Sequence, residues 1–170
     1  MNTTTVKLHS LGYSQAKTYT TAALFVLGNI ALPQLCHLIP QGGATLLPIY
    51  FFTLLGAYKY GWRVGLLTAI VSPLANSALF GMPAAAAVPA IMLKSILLAV
   101  IAGMIASRTK KVSVLLLAAA VLSSQVLGTA AEWLGSGSFF EAMQDFRIGI
   151  PGMLLQVFGC WAILKYALKK

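Results

Sequence analysis

The chain reads as an all-α integral membrane protein of six transmembrane helices, and two observations predict it. Apolar residues make up 59% of its 170 residues and charged ones only 9%, too little charge to solvate a compact water-soluble domain. The apolar runs are also continuous and about twenty residues long, the length of a bilayer-crossing helix, without the alternation that an outer-membrane barrel strand requires. A single membrane domain over residues 1–170 follows.

Residues 1–19 form a polar segment, expected in the cytoplasm. The stretch MNTTTVKLHSLGYSQAKTYTT carries lysines but leads to no small-residue cleavage site after the first apolar run, so that run is expected to be a retained span and not a signal peptide. The first span covers about residues 20–39 and is interrupted by Asn29 and Pro33. IPQGGATLLP then has the Gly and Pro punctuation of a re-entrant or capping loop. A short second span, about residues 46–58, turns at YKYGWRVG into a third, about 64–79. The loop FGMPAAAAVP leads into a fourth, from about Ala85 to near Ser107. The basic turn RTKK opens a fifth, about 112–133, and the polar GSGSFFEAMQDFR separates it from a sixth, about 148–168. Gly61, Gly65 and Ala69 recur every four positions, as do Ala99, Gly103 and Ser107; such rows let helix backbones approach closely, in internal packing or, as the alternative, at a partner interface.

Charge follows this topology. The chain has 12 Lys and Arg against 3 Asp and Glu. Lys7, Lys17, Lys59, Arg63, Arg108, Lys110, Lys111, Lys165, Lys169 and Lys170 all fall on the face that carries both termini, which the positive-inside rule makes cytoplasmic. Glu132, Glu141 and Asp145 fall on the opposite face with Arg147. The net charge of +9 is thus a matter of orientation, and no nucleic-acid partner is expected.

Cys36 and Cys160 lie in different spans, with neither CxxC nor Cys/His spacing, so no disulfide framework, metal or other cofactor is signalled. The nearest approach to a phosphate loop, Gly12 to Thr18, is one residue short, has Ala where the second Gly belongs and follows no strand. There is no HExxH or GxSxG, and the two histidines fall on opposite sides of the membrane. The chain is not expected to be an enzyme.

One charge remains inside a span. With its helix starting near Ala85, Lys94 sits about 14 Å along it at about 1.5 Å per residue. A lysine at mid-span costs about 2.5 to 3.5 kcal/mol on insertion scales and faces a cavity, a partner or a substrate. Three accounts stand: an internal pair with Glu132, a cavity open to the outside in which the ammonium meets an anionic or strongly polar ligand, or a water-filled or lipid-facing position. On the fifth span, Gln125, Gly128 or Thr129, and Glu132 follow the helical repeat and make a polar stripe toward the outer surface. Asn76, Arg147 and Gln156 fall in the same outward half; Arg147 and Trp133 also suit interface anchors. Asn29, Gln34 and His37 lie on the first span.

The turn GAYKYGWRVG, the SPL at Ser72 to Leu74 and the FGMP at Phe80 to Pro83 stand inside LLPIYFFTLLGAYKYGWRVGLLTAIVSPLANSALFGMP, in a six-span chain of this size. Over about residues 46–108 the chain resembles the substrate-binding S components of energy-coupling factor (ECF) transporters, prokaryotic vitamin importers. The resemblance implies an S-component-like bundle in the prokaryotic cytoplasmic membrane that captures a small nutrient in its outer half, under the loops after the first and third spans. It implies as partners a transmembrane T component and two ATPase subunits, which accounts for the missing phosphate loop. It places Lys94, Asn76, Gln125, Glu132 and Arg147 near the pocket. The family's Ala-x-x-x-Ala docking row is not matched: four residues after Ala22 and Ala23 come Val26 and Leu27. The expected ligand is a carboxylate-bearing vitamin or related nutrient anchored by Lys94, since a carboxylate neutralises a costly lysine and is held by it. The rival readings are a structural or assembly subunit, in which Lys94 pairs with Glu132, and a homodimeric carrier or channel.

Overall fold

Backbone N–H and C=O groups have no water to bond in hydrocarbon, so a long apolar run satisfies them within a helix. In the computed structural model, which describes residues 8–167, every regular element is helical. Lys7, Lys169 and Lys170, assigned above to the basic face, and Leu168 at the end of the sixth span lie outside the described residues.

In chain order, α1 (Ala16–Cys36) is followed by a one-turn α2 (Gly42–Leu46), a 3-10 turn (Pro48–Tyr50) that runs straight into α3 (Phe51–Tyr60), and α4 (Trp62–Phe80). A second 3-10 turn (Ala85–Ala87) opens α5 (Val88–Thr109); α6 (Val114–Ser136) then leads through two short helices, α7 (Phe139–Ala142) and α8 (Gln144–Ile148), to α9 (Ile150–Ala162) and a last wide turn at Ile163–Ala167. Five of these stretches, Ala16–Cys36, Trp62–Phe80, Ala85–Thr109, Val114–Ser136 and Ile150–Ala167, are long and apolar enough to cross a membrane. Large apolar side chains such as Leu24 and Leu27 on α1, Leu122 and Val126 on α6 and Leu154 and Phe158 on α9 are exposed on the outside of the bundle, where lipid is their natural solvent.

The short second span expected from the sequence is not among these five. The ten residues of α3 reach only about 15 Å, half of a hydrocarbon core about 30 Å thick. It is tolerated because it is enclosed: α1, α4, α5 and α9 all pack on it, and its residues from Thr53 through Lys59 are buried. Any helix leaves its first N–H groups without intrahelical partners. Asn29 on α1 supplies one acceptor, its Oδ1 taking the Phe52 N–H at 3.2 Å, while its Nδ2 donates to the Thr53 and Ser72 hydroxyls at 3.1 and 3.2 Å. The polar residue that interrupts the first apolar run is therefore the support of the broken one.

The other end of α3 is tied to the N-terminal segment. His9 N–H donates to the Lys59 carbonyl at 2.8 Å and Leu11 N–H to the Tyr60 carbonyl at 3.1 Å. The Tyr58 hydroxyl donates to the Lys111 carbonyl at 2.7 Å, bringing the turn between α5 and α6 to the same end. Helix α5 packs on α3, α4 and α6. Gly65 of α4 lies so close to α3 that a Cβ there would collide with Ala57 and press on Ala99 of α5, and one at Gly103 would collide with Trp62, so these members of the small-residue rows serve contacts within the chain.

Candidate functional site

Lys94 is on the α5 face that meets α6. A Cβ at Gly128 of α6 would come within 2.5 Å of the lysine Cγ, so the missing side chain is the groove in which the lysine stem lies. Four residues on, one helical turn further, Glu132 receives the ammonium: Nζ to Oε2 is 2.6 Å. A second carboxylate meets it from α8, Asp145 Oδ2 accepting from Nζ at 3.0 Å. The lysine side chain is 7% exposed, against 23% for Glu132 and 16% for Asp145. Breaking such a pair from one side leaves a charge stranded, so the three groups act as one unit.

The unit forms one wall of a cavity of about 330 Å3. The end of α1, the segment around α2 and the first 3-10 turn, Asn76 of α4, Met82, Pro83 and Ala87, the start of α5, Glu132, Glu141, Gln144 and Asp145 enclose it. Its mouth is marked by the exposed Met82, Glu141 and Gln144. The inner wall is positioned by a close approach: a Cβ at Gly149 would strike the Leu47 side chain, and one at Gly152 would strike the backbone of Leu46 and Leu47. Leu47 itself has φ 46°, a left-handed conformation that costs a branched residue about 1–2 kcal/mol and is held here by that packing.

Asn76, 1% exposed, also faces the cavity. Its Nδ2 donates to the Asn29 and Ser72 carbonyls, both at 2.9 Å, which uses both amide hydrogens and fixes which way the amide points. Its Oδ1 is buried and accepts nothing from the described residues.

Of the five residues expected at a binding site, the fold thus brings Lys94, Asn76 and Glu132 together at the cavity. Gln125 is 4% exposed and two turns further along α6, and it does not line the cavity. Arg147 does not line it either: it is exposed on α8 with its guanidinium carbon 3.8 Å from the centre of the Phe140 ring, the geometry of an interface anchor. Gln156 is buried in α9 away from the cavity. Asp145 and Glu141 were placed on the outer face without a role in the site. The signal that finds them is scarcity, for the chain's only three acidic side chains all fall within residues 132–145, and Lys94 needs an opposite charge.

No three His, Cys, Asp or Glu side chains among the described residues are grouped to hold a metal ion. No family model, no curated protein and no solved structure matches the chain. The arrangement is a recess, partly apolar, with charge and an unused acceptor converging inside, features that small-molecule sites share.

Proposed function

We propose that this protein is the substrate-binding membrane subunit of an ECF-type importer in a prokaryotic cytoplasmic membrane, a non-catalytic part that captures a small vitamin-like nutrient. A transmembrane T component and two ATPase subunits supply the energy. The observation that carries this reading is the cavity of about 330 Å3, at the low end of the range for small-molecule sites, in which the chain gathers its only carboxylates, Lys94 and the unpartnered Asn76 carbonyl. A membrane anchor or a spacer has no use for that expenditure of burial.

In this reading the segment from Gly42 through α3 is a sixth, broken crossing, and both termini lie in the cytoplasm. Support comes from the contacts that hold residues 9 and 11, the end of α3 and the turn at Lys111 at one end of the bundle. That end carries Arg63, Arg108, Lys110 and Lys111, and the positive-inside rule assigns it to the cytoplasm. The cavity then opens outward, among the acids, where a nutrient arrives.

The pairing of Lys94 with Glu132 and Asp145 weighs against the carboxylate-bearing ligand and favours one rival at a single point, since an assembly subunit also predicts the Lys94–Glu132 pair. Uptake separates the two. In the cell that encodes the chain, its loss is expected to abolish ATP-dependent accumulation of one nutrient while leaving other membrane complexes assembled. Accumulation that persists without the ATPase subunits would favour a carrier or channel, and loss of a membrane complex with uptake intact would favour the assembly subunit.

A further inference from the structure

Glu132, Glu141 and Asp145 are every carboxylate in the chain, they come from three different helices, and all of them line the cavity. One ammonium opposes them, and Lys94 already faces Glu132 at 2.6 Å and Asp145 at 3.0 Å. The cavity therefore holds a formal excess of two negative charges, with Glu141 at the mouth opposite no cation lining the cavity other than Lys94. In a recess walled by side chains such as Ile49 and Ile91, an anion entering meets like charge, and a cation entering relieves it.

The orphan acceptor points the same way independently. The Asn76 Oδ1, in a residue 99% buried, is turned away from Asn29 and Ser72 by the amide hydrogens those carbonyls hold, and it has no donor among the described residues. Amide and carboxylate oxygens accept and do not donate at neutral pH, so the complementary ligand is a donor of hydrogen bonds. A bare metal ion is disfavoured, because the carboxylates are not grouped for coordination. A quaternary ammonium is disfavoured too, because it has no N–H and because Tyr50 and His37 are the only rings lining the cavity, too few for an aromatic cage.

We infer that the ligand is a small organic cation bearing N–H donors, a protonated amine or amidine, whose charged group sits between Glu141, Asp145 and the Asn76 carbonyl. Lys94 in this arrangement is the internal counter-ion that holds Glu132 and Asp145 in place, not the ligand's anchor. The inference rests on the binding-subunit reading and names its substrate class.

Native mass spectrometry of the full chain in detergent tests it, with the small molecules of yeast extract as probe, divided into cation-exchanger-bound, anion-exchanger-bound and unretained fractions. The expected result is a stoichiometric adduct from the cation-exchanger-bound fraction, or a cation carried through purification. An adduct from either other fraction would overturn the inference while leaving the binding subunit standing; no adduct from any fraction would overturn both. Glu141→Gln, at an exposed position that the fold does not depend on, is expected to weaken the cation about tenfold, the loss of one charge-assisted contact of about 1.4 kcal/mol. Unchanged affinity in that variant would also overturn the assignment.

Discussion

The two halves of α5 solve opposite problems. Toward its C-terminal end, Leu98, Ala99, Ala102, Gly103 and Ala106 are buried against small residues and backbone of α3 and α4, with Gly103 against the backbone of Trp62. Toward its N-terminal end, Lys94 and Ser95 are just as buried, yet they face carboxylates, a hydroxyl and a cavity. The first half is held by van der Waals contact at close approach, where every added methyl is felt. The second is held by charge compensation, where volume matters less than the balance of signs. One helix can thus be close-packed scaffold at one end and the charged wall of a cavity at the other, and the boundary between the two falls within a single turn, between Ser95 and Ala99.

This contrast can be broken at either end. The largest effect is expected from Glu132→Gln with Asp145→Asn, which strands the lysine charge. A loss of about 3 kcal/mol in thermal or denaturant unfolding in detergent is expected, the lower end for a broken buried pair because both carboxylates keep partial access to water. Adding Lys94→Met to that double variant is expected to restore most of the stability; a triple variant as unstable as the double would refute charge compensation as the support of this half. Next comes Gly65→Leu in the packed half, expected to cost about 1–3 kcal/mol by overpacking and to lower the fraction of monodisperse protein after extraction. The same substitution carried without loss would mean that α3, α4 and α5 are not in close contact there.

Gly128→Ala sharpens the comparison, because it adds one methyl to the charged half. The lysine stem must move off α6. Stability is expected to change by less than about 1 kcal/mol, since a side chain and not a backbone gives way, while ligand affinity measured by titration falls several-fold as Asp145 and Glu132 lose their counter-ion geometry. The smallest effect is expected from Arg147→Ala, within about 0.5 kcal/mol in stability and with ligand affinity unaltered, because the guanidinium lies outside the cavity over Phe140. A large affinity loss there would return Arg147 to the site.

How much of this was legible before the fold differed by element. The long helices follow from apolar length alone, and their observed bounds differ from the expected ones by a few residues: residues 64–79 against Trp62–Phe80, and 112–133 against Val114–Ser136. The brevity of the second span was legible as well. What supports it was not, because Asn29 reaches Phe52 and Ser72 across 23 and 43 positions of chain, and no periodicity encodes such a contact. The stripe of Gln125, Gly128 or Thr129, and Glu132 is legible from the helical repeat, yet its members serve differently: Gly128 as a groove, Glu132 as a counter-ion, Gln125 away from the cavity.

By itself the sequence determined that this is a helical membrane protein, which end is basic, and that Lys94 needs company, because hydropathy and the cost of a mid-span charge are properties of local composition. Only the tertiary structure decided what that company is. Asp145 follows Lys94 by 51 residues and lies on a one-turn helix, and its approach depends on α8 and α9 closing over Leu47. Whether a buried lysine invites an anion or shields two carboxylates is a question of distances of a few ångströms, and Coulomb energy at that range is set by where helices cross, not by which residues they contain.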